Sequence, residues 1–128
     1  MNILLDTQLL LWAAYDPERL SGAAVQLIED RRNTLLFSAA SIWEVSIKAS
    51  LGREDFDADP WTLRRGLLDA GYEELPINGV HAAEVRDLPA LHKDPFDRLL
   101  VAQARCEGVP LLTADSAVAE YGRPARLM

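Results

Sequence analysis

Short apolar runs of β character alternate with helix-patterned stretches along nearly the whole chain. Strands are expected at Ile3–Leu5, Leu35–Phe37, Tyr72–Leu75 and Val109–Leu112, with an edge strand at Ala125–Leu127. Helices are expected over Leu9–Tyr15, Ser21–Arg32, Ala39–Ser50, Pro60–Ala70, Gly79–Leu88, Pro95–Glu107 and Ser116–Tyr121. Asp16-Pro17, Gly52 and Gly108 break helical pattern, Pro60 suits a first turn, and Glu54–Asp59 and Leu91–Asp94 read as loops. Strands joined through helices lie parallel, and a parallel sheet must be covered on both faces. The expected fold is α/β, a three-layer α/β/α arrangement around a central parallel sheet. Such sheets bind ligands beyond the carboxyl ends of their strands, where strand order reverses.

The 128 residues suit one domain spanning 1–128, with no internal repeat or long linker. No apolar run approaches the length of a membrane span, and Asp6 interrupts the N-terminus before a signal peptide could form. The single Cys106 cannot form an internal disulfide, which fits a reduced, cytoplasmic setting; in its helical stretch it reads as a small buried residue. Thirteen Lys and Arg against twenty Asp and Glu give a net charge of −7. That argues against broad electrostatic binding of nucleic acid, though a local basic rim around an acidic site remains compatible with a nucleic-acid enzyme.

Four acids stand where apolar segments run out: Asp6, Glu44, Asp97 and Asp115. In a parallel sheet they would converge. Clustered carboxylates are costly unless a cation neutralises them, and the hard cations Mg²⁺ and Mn²⁺ prefer oxygen ligands. A site of this kind usually acts on phosphate esters. Taken singly, each acid has a structural explanation. Asp6 and Asp115 can cap the helices that follow, Ser41 to Glu44 has capping-box spacing, and Glu44 to Lys48 suits an i,i+4 ion pair. Asp94-Pro95-Phe96-Asp97 fits a cap, a proline at the first helical position and an acid in the first turn. Capping does not require all four acids to fall at strand ends of one sheet; a metal site does.

Asp94, with its well-formed capping role, is kept outside the catalytic set. Thr7, Ser41 and Thr113 place hydroxyls beside the acids, suited either to orienting carboxylates or to local backbone bonding. His81 and His92 lack ligand spacing with a Cys or a second His; His92 precedes the acidic loop, where it could touch substrate, but it reads rather as an exposed loop histidine. No glycine-rich phosphate loop or Gly-x-Ser-x-Gly elbow occurs. Trp12, Trp43 and Trp61 sit at helical positions and read as core or interface packing.

The chain resembles the PIN-domain ribonucleases, and among them the VapC-type toxins of bacterial toxin–antitoxin pairs. The resemblance runs nearly end to end. It rests on Leu4-Leu5-Asp6-Thr7, on Ser41 through Lys48, on His92 through Ala104 and on Leu112-Thr113-Ala114-Asp115, of which the third stretch is the most specific. It implies that Asp6, Glu44, Asp97 and Asp115 hold the divalent metal, and it also implies a homodimer and a small antitoxin partner. Gln8 departs from the pattern, since close relatives often carry His there.

The expected function is Mg²⁺- or Mn²⁺-dependent endoribonucleolytic cleavage by water, leaving a 5′-phosphate and a 3′-hydroxyl on the RNA. Lys48, Lys93 and Arg98 are candidates for guiding phosphate. The alternative is a catalytically inactive PIN-like scaffold that binds a protein partner; loss of an acid would favour it, and all four are present. A receiver-type domain needs an acidic pair after the first strand, and an Asp-nucleophile phosphatase needs a second Asp two residues after Asp6. Thr7-Gln8 supplies neither.

Overall fold

The computed structural model describes residues 1–52 and 56–128. In chain order the elements are β1 (Asn2–Leu5), α1 (Thr7–Tyr15), α2 (Gly22–Glu29), β2 (Thr34–Ser38), α3 (Ala39–Ser50), α4 (Pro60–Asp69), β3 (Glu73–Leu75), α5 (Gly79–Glu84), α6 (Pro95–Glu107), β4 (Leu111–Thr113), α7 (Ser116–Ala119) and β5 (Ala125–Leu127). Pro17–Arg19 and Val85–Asp87 are single 3₁₀ turns. The loop expected at Glu54–Asp59 lies partly outside the described residues; Phe56–Asp59 carry no regular structure.

The strands form one five-stranded sheet in the order β3-β2-β1-β4-β5, with every pairing parallel. The chain steps outward from β1 to β2 and β3, then returns to β4 on the other side of β1. Strand order therefore reverses between β1 and β4, and a crevice opens beyond their carboxyl ends. Leu4 pairs with Leu36 on one side and Leu111 on the other. The Asp6 amide donates to the Leu112 carbonyl at 2.9 Å, so the ladder runs up to the first candidate acid.

Side chains alternate across the sheet with period two. Leu4, Leu36 and Leu111 face a layer built on Leu100, Val101 and Ala104 of α6, with Val118 and Leu88. Ile3, Leu5, Phe37 and Leu112 face the other layer, with Leu9, Leu10, Val45, Leu63 and Leu67. Both layers exclude solvent from the central strands, which explains why β1, β2 and β4 read as largely apolar runs.

Several boundaries moved for identifiable reasons. The first helix begins at Thr7 rather than Leu9, because Asp6 caps it by accepting from the Leu9 amide. The cap of α3 is Ser38, which accepts from the Ala40 amide; Ser41 lies inside the helix and forms no capping box. The helix expected at Gly79–Leu88 is α5 followed by a 3₁₀ turn. At α6 the reading holds: Asp94 caps, Pro95 opens the helix, and Gly108 ends it at φ 66°, a left-handed conformation that suits glycine. Cys106, expected to be buried, is half-buried.

Candidate active site

Asp6, Glu44, Asp97 and Asp115 all line one small cleft of about 190 Å³, together with Asp94, Thr7, Gln8, Leu11 and Lys48. The cleft lies beyond β1 and β4, at the reversal of strand order. Each acid reaches it from a different element. Asp6 ends β1, Glu44 lies on α3 after β2, Asp97 sits in the first turn of α6, and Asp115 follows β4 and caps α7.

Asp6 is 4% exposed, and both its oxygens are held. Oδ1 accepts from the Leu9 amide at 2.8 Å, and Oδ2 accepts from the Thr113 hydroxyl at 2.6 Å and the Ala114 amide at 3.2 Å. Burial raises the Asp6 carboxyl above its ordinary value, against these lowering hydrogen bonds, and the charge of Glu44 adds to the rise. Thr113 also accepts from the Asp115 amide at 3.0 Å, so one hydroxyl ties two of the acids together. The Thr7 hydroxyl donates to Ser41 at 2.8 Å, joining α1 to α3.

Glu44 is 6% exposed. Lys48 Nζ donates to its Oε2 at 2.8 Å, the ion pair expected from the spacing. Its Oε1 is buried and has no hydrogen-bond partner among the described residues. An orphaned carboxylate oxygen is expensive in a protein interior unless a ligand meets it.

Asp97 accepts from His92 Nε2 at 2.8 Å through Oδ2. Burial, aided by the neighbouring charge of Asp94, pushes the Asp97 carboxyl up to about 6, while the His92 hydrogen bond pulls the other way. Asp94 remains a cap, accepting from the Phe96 and Asp97 amides through Oδ1, yet it also lines the cleft. Asp115 Oδ1 accepts from the Ala117 amide, and its Oδ2 lies 3.8 Å from His92 Nε2.

His92 departs from the sequence reading. It is half-buried, and its ring stands between two of the predicted acids. Among the described residues, His92, Asp97 and Asp115 offer ligand-type atoms that all lie within 4.8 Å of one another; Asp6 and Glu44 line the cleft but stand outside that group. The signal available in the sequence was the position of His92 five residues before Asp97, within the most specific motif. Arg98 departs as well. Its guanidinium donates to the carbonyls of Val85, Pro89 and His92 and to the Tyr121 hydroxyl, so it anchors the loop rather than reaching toward phosphate. Lys48 does line the cleft, whereas Lys93 is exposed outside it. His81 is buried and structural: Nδ1 accepts from the Asn78 amide, and Nε2 meets Glu107 at 3.0 Å. Trp43 and Trp61 are exposed rather than core; Trp43 packs edge-on against Phe96.

The residues fit a divalent cation. The donors are carboxylate oxygens from four elements, two of the acids are held above their ordinary range, and one buried oxygen lacks a partner. A hard cation would relieve all three conditions. The described residues contain no helix long and apolar enough to cross a membrane.

The comparisons agree with this architecture. VapBC2 from Rickettsia felis, bound to a DNA fragment from its promoter, is similar over 100% of this chain and 98% of its own, at 16% identity and a TM-score of 0.69. VapBC-1 from nontypeable Haemophilus influenzae is similar over 100% and 97%, at 16% identity and a TM-score of 0.65. FitAcB from Neisseria gonorrhoeae is similar over 98% and 96%, at 18% identity and a TM-score of 0.61. No curated protein matches the chain. The PIN domain family matches residues 3–124, and the chain belongs to that family.

Proposed function

We propose that the protein is a metal-dependent endoribonuclease of the VapC toxin type, in which Asp6, Glu44, Asp97 and Asp115 hold Mg²⁺ or Mn²⁺. The observation that carries the reading is the meeting of four carboxylates in one cleft, with the buried Glu44 Oε1 left without a partner. PIN domains are typically nucleases, which supports hydrolytic chemistry at this cleft.

When bound, the cation supplies charge stabilisation at phosphate and makes water a nucleophile near neutral pH. The chain's own residues prepare the site. The Leu9 and Ala114 amides and the Thr113 hydroxyl fix both oxygens of Asp6, so little reorganisation accompanies loading. Lys48 holds Oε2 of Glu44, and the buried Oε1 has no partner among the described residues. The Lys48 ammonium is also the cation at the rim best placed to meet a phosphate backbone.

The proposal extends to a small antitoxin, a homodimer and a cytoplasmic setting. Two of the structural neighbours are VapBC proteins, and the acidic cleft invites control by a basic side chain from a partner. Trp61, 80% exposed, lines a groove with Trp43, Ile42 and Pro60 that suits such a partner. The test is growth after induction in bacterial cells of the wild type, of Asp6→Asn, and of the wild type with the neighbouring small reading frame. Arrest by the wild type alone is expected. Equal arrest by Asp6→Asn would move the inactive, partner-binding scaffold ahead.

A further inference from the structure

Beyond the four acids, an imidazole nitrogen stands beside two of them. His92 Nε2 lies 2.8 Å from Asp97 Oδ2 and 3.8 Å from Asp115 Oδ2. Adjacent ligands of an octahedral ion with bonds of about 2.1 Å stand about 3.0 Å apart, and opposite ligands about 4.2 Å. Both distances from His92 Nε2 therefore lie below that upper spacing, and ligand atoms of the three residues all lie within 4.8 Å of one another.

The histidine is also held in place. Arg98 extends from α6 and donates to the His92 carbonyl at 3.4 Å, to the Pro89 carbonyl at 3.1 Å and to the Val85 carbonyl at 3.0 Å. Its bond to the Tyr121 hydroxyl at 3.1 Å ties the same group to the segment after α7. The loop that carries His92 is thus fixed to the helix that carries Asp97. Glu44, whose buried Oε1 has no partner among the described residues, lines one cleft with Asp97 and Asp115, an independent sign that a cation belongs there.

We infer that His92 is a nitrogen ligand of the cation bound by Asp97 and Asp115, and that it gives the site a preference for Mn²⁺ over Mg²⁺. This rests on the metal-dependent reading above. Mg²⁺ favours oxygen and retains its waters, whereas Mn²⁺ accepts imidazole beside carboxylates. Loading exchanges the His92–Asp97 hydrogen bond for two bonds to the same ion, with the ring proton on Nδ1. An all-oxygen site built from the four acids alone would show a smaller preference.

The chain has two histidines, and His81 is 1% exposed and bonded to Asn78 and Glu107. A histidine signal on bound metal therefore reports His92. The experiment is pulsed electron paramagnetic resonance of the full-length protein loaded with Mn²⁺, which detects imidazole nitrogen coupled to the ion. Calorimetric titration with Mn²⁺ and with Mg²⁺ accompanies it, on wild type and His92→Ala. Nitrogen coupling is expected in the wild type and absent in His92→Ala. The substitution is expected to weaken Mn²⁺ binding by about tenfold or more while changing Mg²⁺ binding far less. Bound Mn²⁺ without imidazole coupling would overturn the assignment of His92 and leave the metal-dependent reading standing. Failure of the wild type to bind Mn²⁺ would overturn both. The wild-type spectrum decides the matter even if His92→Ala folds poorly.

Discussion

Thr113→Val isolates the hydroxyl that joins two of the acids. Valine matches threonine in shape, so the fully buried site gains no cavity and the change is chemical. The variant loses a 2.6 Å bond donated to a buried carboxylate, and it leaves the Asp115 amide without its 3.0 Å acceptor. Hydrogen bonds to charged groups are worth about 1.5–3 kcal/mol, and the partly exposed amide finds water. A net loss of about 2 kcal/mol is expected, which for a chain of this length lowers the melting temperature by about 7 °C. Urea unfolding followed by circular dichroism measures the free energy directly, with Thr113→Ser as control. Serine retains the hydroxyl, so it is expected to lose less than valine does. Asp6 is also freer to rotate in the valine variant, so Mn²⁺ binding weakens in step. Wild-type stability for Thr113→Val, together with a clear loss for Thr113→Ser, would show that the methyl group matters and the hydroxyl does not. That result would refute the account of how Asp6 is held.

Three further outcomes are expected. Asp6→Asn and Asp97→Asn abolish RNA cleavage while keeping the fold: asparagine is a poor Mg²⁺ ligand, yet at Asp6 it caps α1 about as well as aspartate, and Asp97 leaves the α6 cap to Asp94; cleavage and melting measured on one preparation separate metal binding from stability. Mn²⁺ at a hundred times its dissociation constant stabilises the protein by about 2.7 kcal/mol, and a thermal scan with and without EDTA reads this. In EDTA, stability falls as pH rises from about 4 to 6, because the folded Asp97 carboxyl, raised from 3.8 to about 6, holds its proton where the unfolded chain has released it. Solvent screening at this partly exposed group limits the effect to about 1–2 kcal/mol, and Asp97→Asn flattens the slope in urea melts across that window.

The alternation of apolar runs and helical pattern carried the parallel sheet and both helical layers, because the central strands β1, β2 and β4 are largely buried and read as apolar; the edge strands β3 and β5 carry Glu73, Glu74 and Arg126 and are partly exposed, so their place in the alternation marked them. The caps at Asp6, Asp94 and Asp115 were legible because their bonds are local, within three residues. Ser41 misled for the converse reason. Its spacing to Glu44 suits a capping box, but its partner is Thr7, 34 residues away. The place of His92 depends on a loop folded back by Arg98 onto carbonyls up to thirteen residues distant, a contact that no periodicity encodes. Gln103 shows the same limit. It lies fully buried within an apolar helix face, bonded to Ser38 of β2 and to the Pro76 carbonyl, and pattern alone gives no sign of it.

The most direct test of the central claim is cleavage of total RNA by the purified protein with Mn²⁺, with EDTA, and with Asp6→Asn in place of the wild type, followed by sequencing of the cut ends. The account predicts fragments bearing 5′-phosphates with the wild type and Mn²⁺, and intact RNA in the other two reactions. Cleavage that persists in EDTA or with Asp6→Asn, or ends carrying 2′,3′-cyclic phosphate, would contradict it.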